Sequence, residues 1–218
     1  MRFNLFPGRI KVCGITTLAD AQAAVDCGVR TLGFVFHPKS PRAVTPREAR
    51  EIISYLPPGV ACVGVFVDQP ANRVRVVVEA CGLTAVQGHG AEADAWLSAV
   101  GVPAIKALRV RSTADLAQLA LYPSAAALLL DAWSPRAAGG TGERWDWSLA
   151  ASLPPLKKPL ILAGGLTPDN VAAAIRQVRP AAVDVSSGVE AAPGRKDPDK
   201  VRRFVAAAME AFHDLDAT

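Results

Sequence analysis

Cys13 closes a short apolar run and is followed by Gly14, so its thiol stands where a strand gives way to a turn. Asp131 stands in the same relation to Leu128-Leu129-Leu130. A thiol and a carboxylate, each at a strand end, could trade protons with one substrate. A free thiol has a pKa of about 8.5, so a modest downward shift makes it a general base near neutrality. An aspartic general acid needs the opposite treatment: desolvation or a nearby negative charge must hold its proton. Such a pair suits an isomerisation. It suits covalent hydrolysis less, because none of the three histidines (His37, His89, His213) is placed by the sequence beside Cys13. Each residue also has a plainer reading. Cys13 could be a packed core thiol, and Asp131 a loop or helix cap.

A second set of residues could hold an anion. Gly164-Gly165 follows the apolar run at 160–163, and Ser186-Ser187-Gly188 follows the run at 182–185. Glycine lets backbone N–H groups approach a phosphate, and a helix N-terminus adds a favourable dipole. Either segment alone could be a tight turn; two in succession point to a phosphate site. Arg42 lies in a segment stiffened by Pro38 and Pro41. Its planar fork matches a carboxylate, although a solvated loop arginine is the plain alternative. The glycine-rich stretch at 139–142 is either a lid or a simple connection.

These residues need elements to position them. Apolar runs at 9–13, 31–36, 60–67, 85–87, 104–109, 126–131, 160–163 and 182–185 alternate with longer Ala-rich amphipathic stretches. The runs are apolar throughout, as parallel strands covered by helices on both faces must be. Eight such units predict an α/β fold, a single-domain (β/α)8 TIM barrel over residues 1–218, with a doubly wound open sheet as the fallback. Helix starts are expected at Thr17, Thr45-Pro46, Ser112, Thr167-Pro168 and Asp197-Pro198, and helix ends at Cys27-Gly28 and Cys81-Gly82. A short sixth helix is expected from about Trp145 to just before Pro154-Pro155. In such barrels chemistry sits at the C-terminal strand ends, where Cys13, Asp131 and the glycine segments all fall.

Composition narrows the partners. Half of the 218 residues are hydrophobic and the formal charge is only +4. The basic residues form no dense stripe, which argues against nucleic acid and fits a small anionic substrate. The four cysteines are not at metal-ligand or redox-motif spacing. No metal and no cofactor is expected. No apolar run is long enough to cross a membrane, and residues 1–8 do not read as a signal peptide, so a cytoplasmic location is expected. Apolar helix faces are compatible with a homodimer.

Taken in order, the motifs resemble the phosphoribosylanthranilate isomerase family of tryptophan biosynthesis. The matching blocks are Lys11-Val-Cys-Gly-Ile-Thr16, Gly33-Phe-Val-Phe36 with Ser40-Pro-Arg42, Val63-Gly-Val-Phe-Val67 and Leu129-Leu-Asp131. Further blocks are Gly139-Gly-Thr-Gly142, Leu162-Ala-Gly-Gly-Leu166, Val183-Asp-Val-Ser-Ser-Gly-Val-Glu190 and Pro193-Gly194 with Lys196-Asp197. The resemblance implies a cofactor-free Amadori rearrangement of N-(5-phosphoribosyl)anthranilate to 1-(2-carboxyphenylamino)-1-deoxyribulose 5-phosphate. It implies Asp131 as general acid, Cys13 as general base and Arg42 on the anthranilate carboxylate. Gln87 and His89 would join the substrate site, and Gly164, Gly165, Ser186, Ser187 and Gly188 would hold the phosphate. One departure is Gly88, where the family usually has Leu; it leaves the placement of Gln87 and His89 open. Two rival readings remain. One is the related isomerase of the histidine pathway, which Cys13 disfavours because those enzymes carry a carboxylate there. The other is a non-catalytic phosphate-binding barrel, which would need neither Cys13 nor Asp131.

Overall fold

The computed structural model describes residues 6–132, 147–151, 153 and 156–217. Eight parallel strands close into a barrel in sequence order: β1 (Ile10–Cys13), β2 (Thr31–Val35), β3 (Ala61–Phe66), β4 (Ala85–Gly88), β5 (Ala104–Val110), β6 (Ala127–Ala132), β7 (Leu160–Leu162) and β8 (Ala182–Val185). Closure is made by β1 against β8, with Lys11 opposite Asp184. Each strand is followed by a helix: α1 (Leu18–Asp26), α2 (Pro46–Ser54), α3 (Ala71–Cys81), α4 (Asp94–Ala99), α5 (Thr113–Leu116), α6 (Ser148–Ala151), α7 (Val171–Val178) and α8 (Pro198–Asp216). All eight expected strands form, with ends moved by a residue or two. The barrel, not the open sheet, is the architecture.

Side-chain caps explain several helix starts. Thr17 accepts from Asp20 N, Thr45 and Glu48 form a reciprocal capping box ahead of Pro46, and Asp197 accepts from Asp199 N and Lys200 N. Gly82 ends α3 in the left-handed region at φ 69°, where glycine carries no Cβ penalty. Two expectations differ. α7 begins at Val171, not at Thr167-Pro168, because Asn170 takes the capping position. Its side chain accepts from Thr167 N and donates to Gly165 O, so the intervening residues form a turn. α6 begins at Ser148; Trp145, Pro154 and Pro155 and the 139–142 stretch lie outside the described residues. A third element was not foreseen: a small antiparallel hairpin after β8, of β9 (Glu190–Ala192) and β10 (Arg195–Lys196).

The two-residue period of a strand sorts side chains between two cores. Outward residues such as Val12, Leu32, Leu128, Leu130 and Val183 pack under the helices. The inward set includes Val63, Ala85, Ile105, Ala127, Leu129, Ile161 and Ala182, with Phe6 packed among them. Continuing the same alternation toward the C-terminal ends brings polar groups inside: Lys11 and Cys13 on β1, Gln87 on β4, Asp131 on β6 and Asp184 on β8. All five are buried. An apolar lower barrel thus supports a charged upper layer. No helix among the described residues is long and apolar enough to cross a membrane.

Candidate active site

Lys11 is the hub of the upper layer. Its ammonium is fully buried and donates to Asp184 Oδ2 at 2.9 Å and to Gln87 Oε1 at 2.8 Å. Burial works against this charge, but Asp184 and the neighbouring Cys13 outweigh it and raise the Lys11 pKa. Cys13 sits beside it. Burial pushes the thiol up; Lys11 and Lys196 pull it down, Asp184 adds to the rise, and the net direction is upward. The modest downward shift that would make the free thiol a base near neutrality is not what the buried site supplies. A thiol taken out of water holds its proton more tightly, and the Lys11 charge is partly spent on Asp184. Space for the thiol comes from Gly33, which pairs with Cys13 in register. A Cβ there would lie 2.7 Å from Cys13 Sγ and 2.9 Å from Lys11 Cε.

On the facing side, Gln87 Nε2 lies 3.0 Å from His89 Nδ1, and His89 Nε2 lies 3.2 Å from Asp131 Oδ2. Among the described residues His89 Nε2 makes no aligned hydrogen bond despite that proximity. The histidine thus belongs with the carboxylate, not the thiol. Both ends of the Gln87 amide are engaged within the protein. The His89 backbone is pinned by its N–H to Phe66 O and by Arg109 to its carbonyl. The next turn is fixed by Glu92, which accepts from Asp68 N and Gly90 N and pairs with buried Lys106 at 2.7 Å. Gly88 turns out of the barrel toward this cluster. A Cβ there would meet Glu92 Oε2 at 2.9 Å and Trp96 Cζ3 at 3.1 Å. The space of a leucine is filled by Glu92 and Trp96, and Gln87 and His89 keep their inward faces.

Arg42 is not a solvated loop residue. Its Nε and Nη2 bind Glu190 Oε1 and Oε2 at 2.7 and 2.6 Å, a bidentate buried pair. Lys196 shares the same carboxylate at 2.9 Å and also donates to Ser186 O. Burial alone would raise the Glu190 pKa, but the Arg42 hydrogen bonds and the Lys196 charge overcome it and lower it. The β9–β10 hairpin therefore clamps the β2 loop. It reaches the β1 loop as well, through Thr16 Oγ1 to Gly194 O. With two donors committed to Glu190, Arg42 keeps its Nη1 edge for a ligand.

The glycine segments meet at the same rim. Gly164 and Gly165 take φ of 84° and 67°, which L side chains rarely adopt. A Cβ on Gly188 would overlap the Leu166 carbonyl, so the β7 and β8 loops touch only because that residue is glycine. Ser186 Oγ and the Arg42 stem both border Gly14. The structure thus gathers Cys13, Asp131, Arg42, Gln87, His89 and the two glycine segments at one end of the barrel. Sequence reasoning gave no role to Lys11, Gly33, Asp184, Glu190 or Lys196. The available signals were a lysine inside the apolar run two residues before the thiol, and the presence of the other four in the matching motif blocks.

Comparisons with known proteins match most of the chain. A family model described as N-(5'phosphoribosyl)anthranilate (PRA) isomerase matches residues 10–207. An N-(5'-phosphoribosyl)anthranilate isomerase from Pelobacter propionicus is 52% identical over 202 residues, covering 93% of this chain and 96% of its own. The crystal structure of phosphoribosyl anthranilate isomerase from Thermotoga maritima superposes with a TM-score of 0.88 at 42% identity, covering 93% and 98% of the two chains. Another phosphoribosyl anthranilate isomerase structure, in complex with reduced 1-(o-carboxyphenylamino)-1-deoxyribulose 5-phosphate, aligns with a TM-score of 0.82 at 40% identity over 93% and 98%.

Proposed function

The chain belongs to the N-(5'-phosphoribosyl)anthranilate isomerase family, and on that premise we propose that its barrel mouth isomerises phosphoribosylanthranilate by proton transfer between Asp131 and Cys13. The activity is an intramolecular isomerisation in tryptophan biosynthesis. Asp131 gives a proton to the ribose ring oxygen as the C1–O bond breaks, leaving a C1=N iminium. Cys13 as thiolate removes the C2 proton, and that electron pair forms the enolamine. Loss of the O2 proton and protonation of C1 then give the ketone. No net oxidation occurs and no cofactor enters.

One observation carries this reading. The thiol and the carboxylate both face the barrel interior in one buried polar layer, joined through Lys11, Gln87 and His89. The raised thiol pKa fits the step. The iminium places a positive charge beside C2 when the base is needed, and a nearby cation lowers a thiol pKa. The Arg42 Nη1 edge takes the anthranilate carboxylate. Gly164, Gly165, Ser186, Ser187 and Gly188 take the phosphate, with Lys196 adding charge behind Ser186. We further assign residues 1–218 to one domain working in the cytoplasm. A homodimer is inferred from exposed Tyr55, Val76 and Met209 and is tested by sedimentation.

Steady-state kinetics on Cys13→Ser and Asp131→Asn test the assignment. Each should lower kcat by about 10²–10⁴-fold, the usual range for a general acid or base, with product-analogue binding retained. Wild-type-like turnover in either variant removes that residue from the mechanism.

A further inference from the structure

The buried side chains between Lys11 and Asp131 obey a strict donor–acceptor order. An ammonium only donates, so the Gln87 atom 2.8 Å from Lys11 Nζ must be its oxygen. The other end of the amide is then NH₂, which also only donates. It faces His89 Nδ1 at 3.0 Å, so Nδ1 must be the bare, accepting nitrogen. A neutral imidazole with a bare Nδ1 carries its proton on Nε2. Asp131 Oδ2 lies 3.2 Å from that nitrogen, within reach of its proton though not aligned with it. An oxygen facing a donor acts as an acceptor. When Asp131 is a carboxylic acid, its proton therefore sits on Oδ1.

We propose that Lys11, Gln87 and His89 form a positioning relay that fixes the His89 proton on Nε2 and so places the acidic proton of Asp131 on Oδ1. The proposal rests on the reading of Asp131 as general acid. None of the three residues transfers the proton itself; the amide cannot readily relay one. They decide which oxygen presents it. The pieces are held rigidly enough for this. Gln87 sits in register between β3 and β5, opposite Val65 and Ile105. The His89 backbone is tied at both its N–H and its carbonyl. Lys11 is anchored by Asp184. His89 Nε2 is buried without an aligned partner, so the bond is completed when the Asp131 carboxylate turns toward it. Catalytic hydrogen bonds often tighten in this way once substrate is bound.

The test reads the tautomer directly. The full chain is labelled with ¹⁵N histidine, and the His89 ring signals are assigned by their loss in His89→Asn. Wild type should show a bare Nδ1 and a protonated Nε2. In Gln87→Glu the side chain facing Nδ1 can only accept, so the proton should move to Nδ1. The kcat should then fall about 10²-fold, the scale of a misplaced catalytic group, with a smaller change in KM. A wild-type ring protonated on Nδ1 overturns the relay, and needs no variant to do so. An unchanged tautomer in folded Gln87→Glu overturns it equally. Should Gln87→Glu fail to fold, Gln87→Met gives the same readout, because loss of the amide donor should release the ring into both tautomers; a fixed Nε2 proton there counts against the relay. Failure of the general-acid reading looks different: Asp131→Asn would turn over normally while wild type kept its Nε2 proton.

Discussion

Replacing Gly33 with alanine should disable the thiol without touching it. The added Cβ would lie 2.7 Å from Cys13 Sγ, 2.9 Å from Lys11 Cε and 3.1 Å from Cys13 Cα. Contacting carbon atoms sit about 3.5–4.0 Å apart, and sulfur is larger, so Sγ must retreat by roughly 1 Å. The β1 backbone cannot absorb the clash, because Lys11, Val12 and Cys13 are in register with β2 and Lys11 and Val12 with β8. Displacing a reacting group by about 1 Å costs on the order of 10²-fold in rate, or about 2.7 kcal/mol on the barrier at roughly 1.36 kcal/mol per tenfold. Overpacking should also cost about 1–3 kcal/mol of stability, each kcal/mol lowering Tm by about 2–4 °C at this chain length. Kinetics taken below both melting transitions separate the two effects. A variant with a lowered Tm and an unchanged kcat would show that Gly33 does not set the thiol's position. Unchanged Tm and kcat together would refute the close approach itself.

Other expectations follow from the same contacts. Because burial raises the Cys13 pKa, kcat/KM should rise with pH through a value above the ordinary thiol pKa of about 8.5. Lys11→Met should move that limb further alkaline: the lost Lys11 charge outweighs any relief from Asp184 taking up a proton, so a limb that shifts down contradicts the assignment. Glu190→Gln breaks the buried carboxylate shared by Arg42 and Lys196, and thermal or denaturant melts should show a loss of about 3–5 kcal/mol. Its KM should rise more than its kcat falls, since Arg42 holds rather than reacts; the reverse pattern argues against Arg42 as the carboxylate clamp. Gly88→Leu should destabilise by about 1–3 kcal/mol through overpacking against Glu92 and Trp96, with kcat little changed. Trp96→Ala in the same chain should recover part of that loss, and strict additivity of the two would deny the contact.

Local signals carried the fold a long way. Eight apolar runs and the caps at Thr17, Thr45 and Asp197 are features of short windows, and each marks an element that forms. The strand period also places Cys13 and Asp131 on the inner face once a barrel is assumed. Local chemistry failed where a loop had another task. Thr167-Pro168 has the form of a helix start, yet Asn170 bonds back to Gly165 and Thr167 and delays α7 by a turn around the glycine loop. The β9–β10 hairpin, only three and two residues long, carries too little periodicity to be read.

The sequence by itself determined the strand and helix order, the candidate residues for proton transfer and, through ordered motifs, the family. Tertiary structure alone decided the partners and so the electrostatics. Arg42 meets Glu190 across 148 positions and Lys11 meets Asp184 across 173. No window of the chain contains such a pair, because closing the barrel at β1 and β8 is what creates it. The same closure removes Cys13 from water, which raises its pKa. The identity of a base is written in residue type; its proton affinity depends on solvent exclusion and on charges brought in by distant strands.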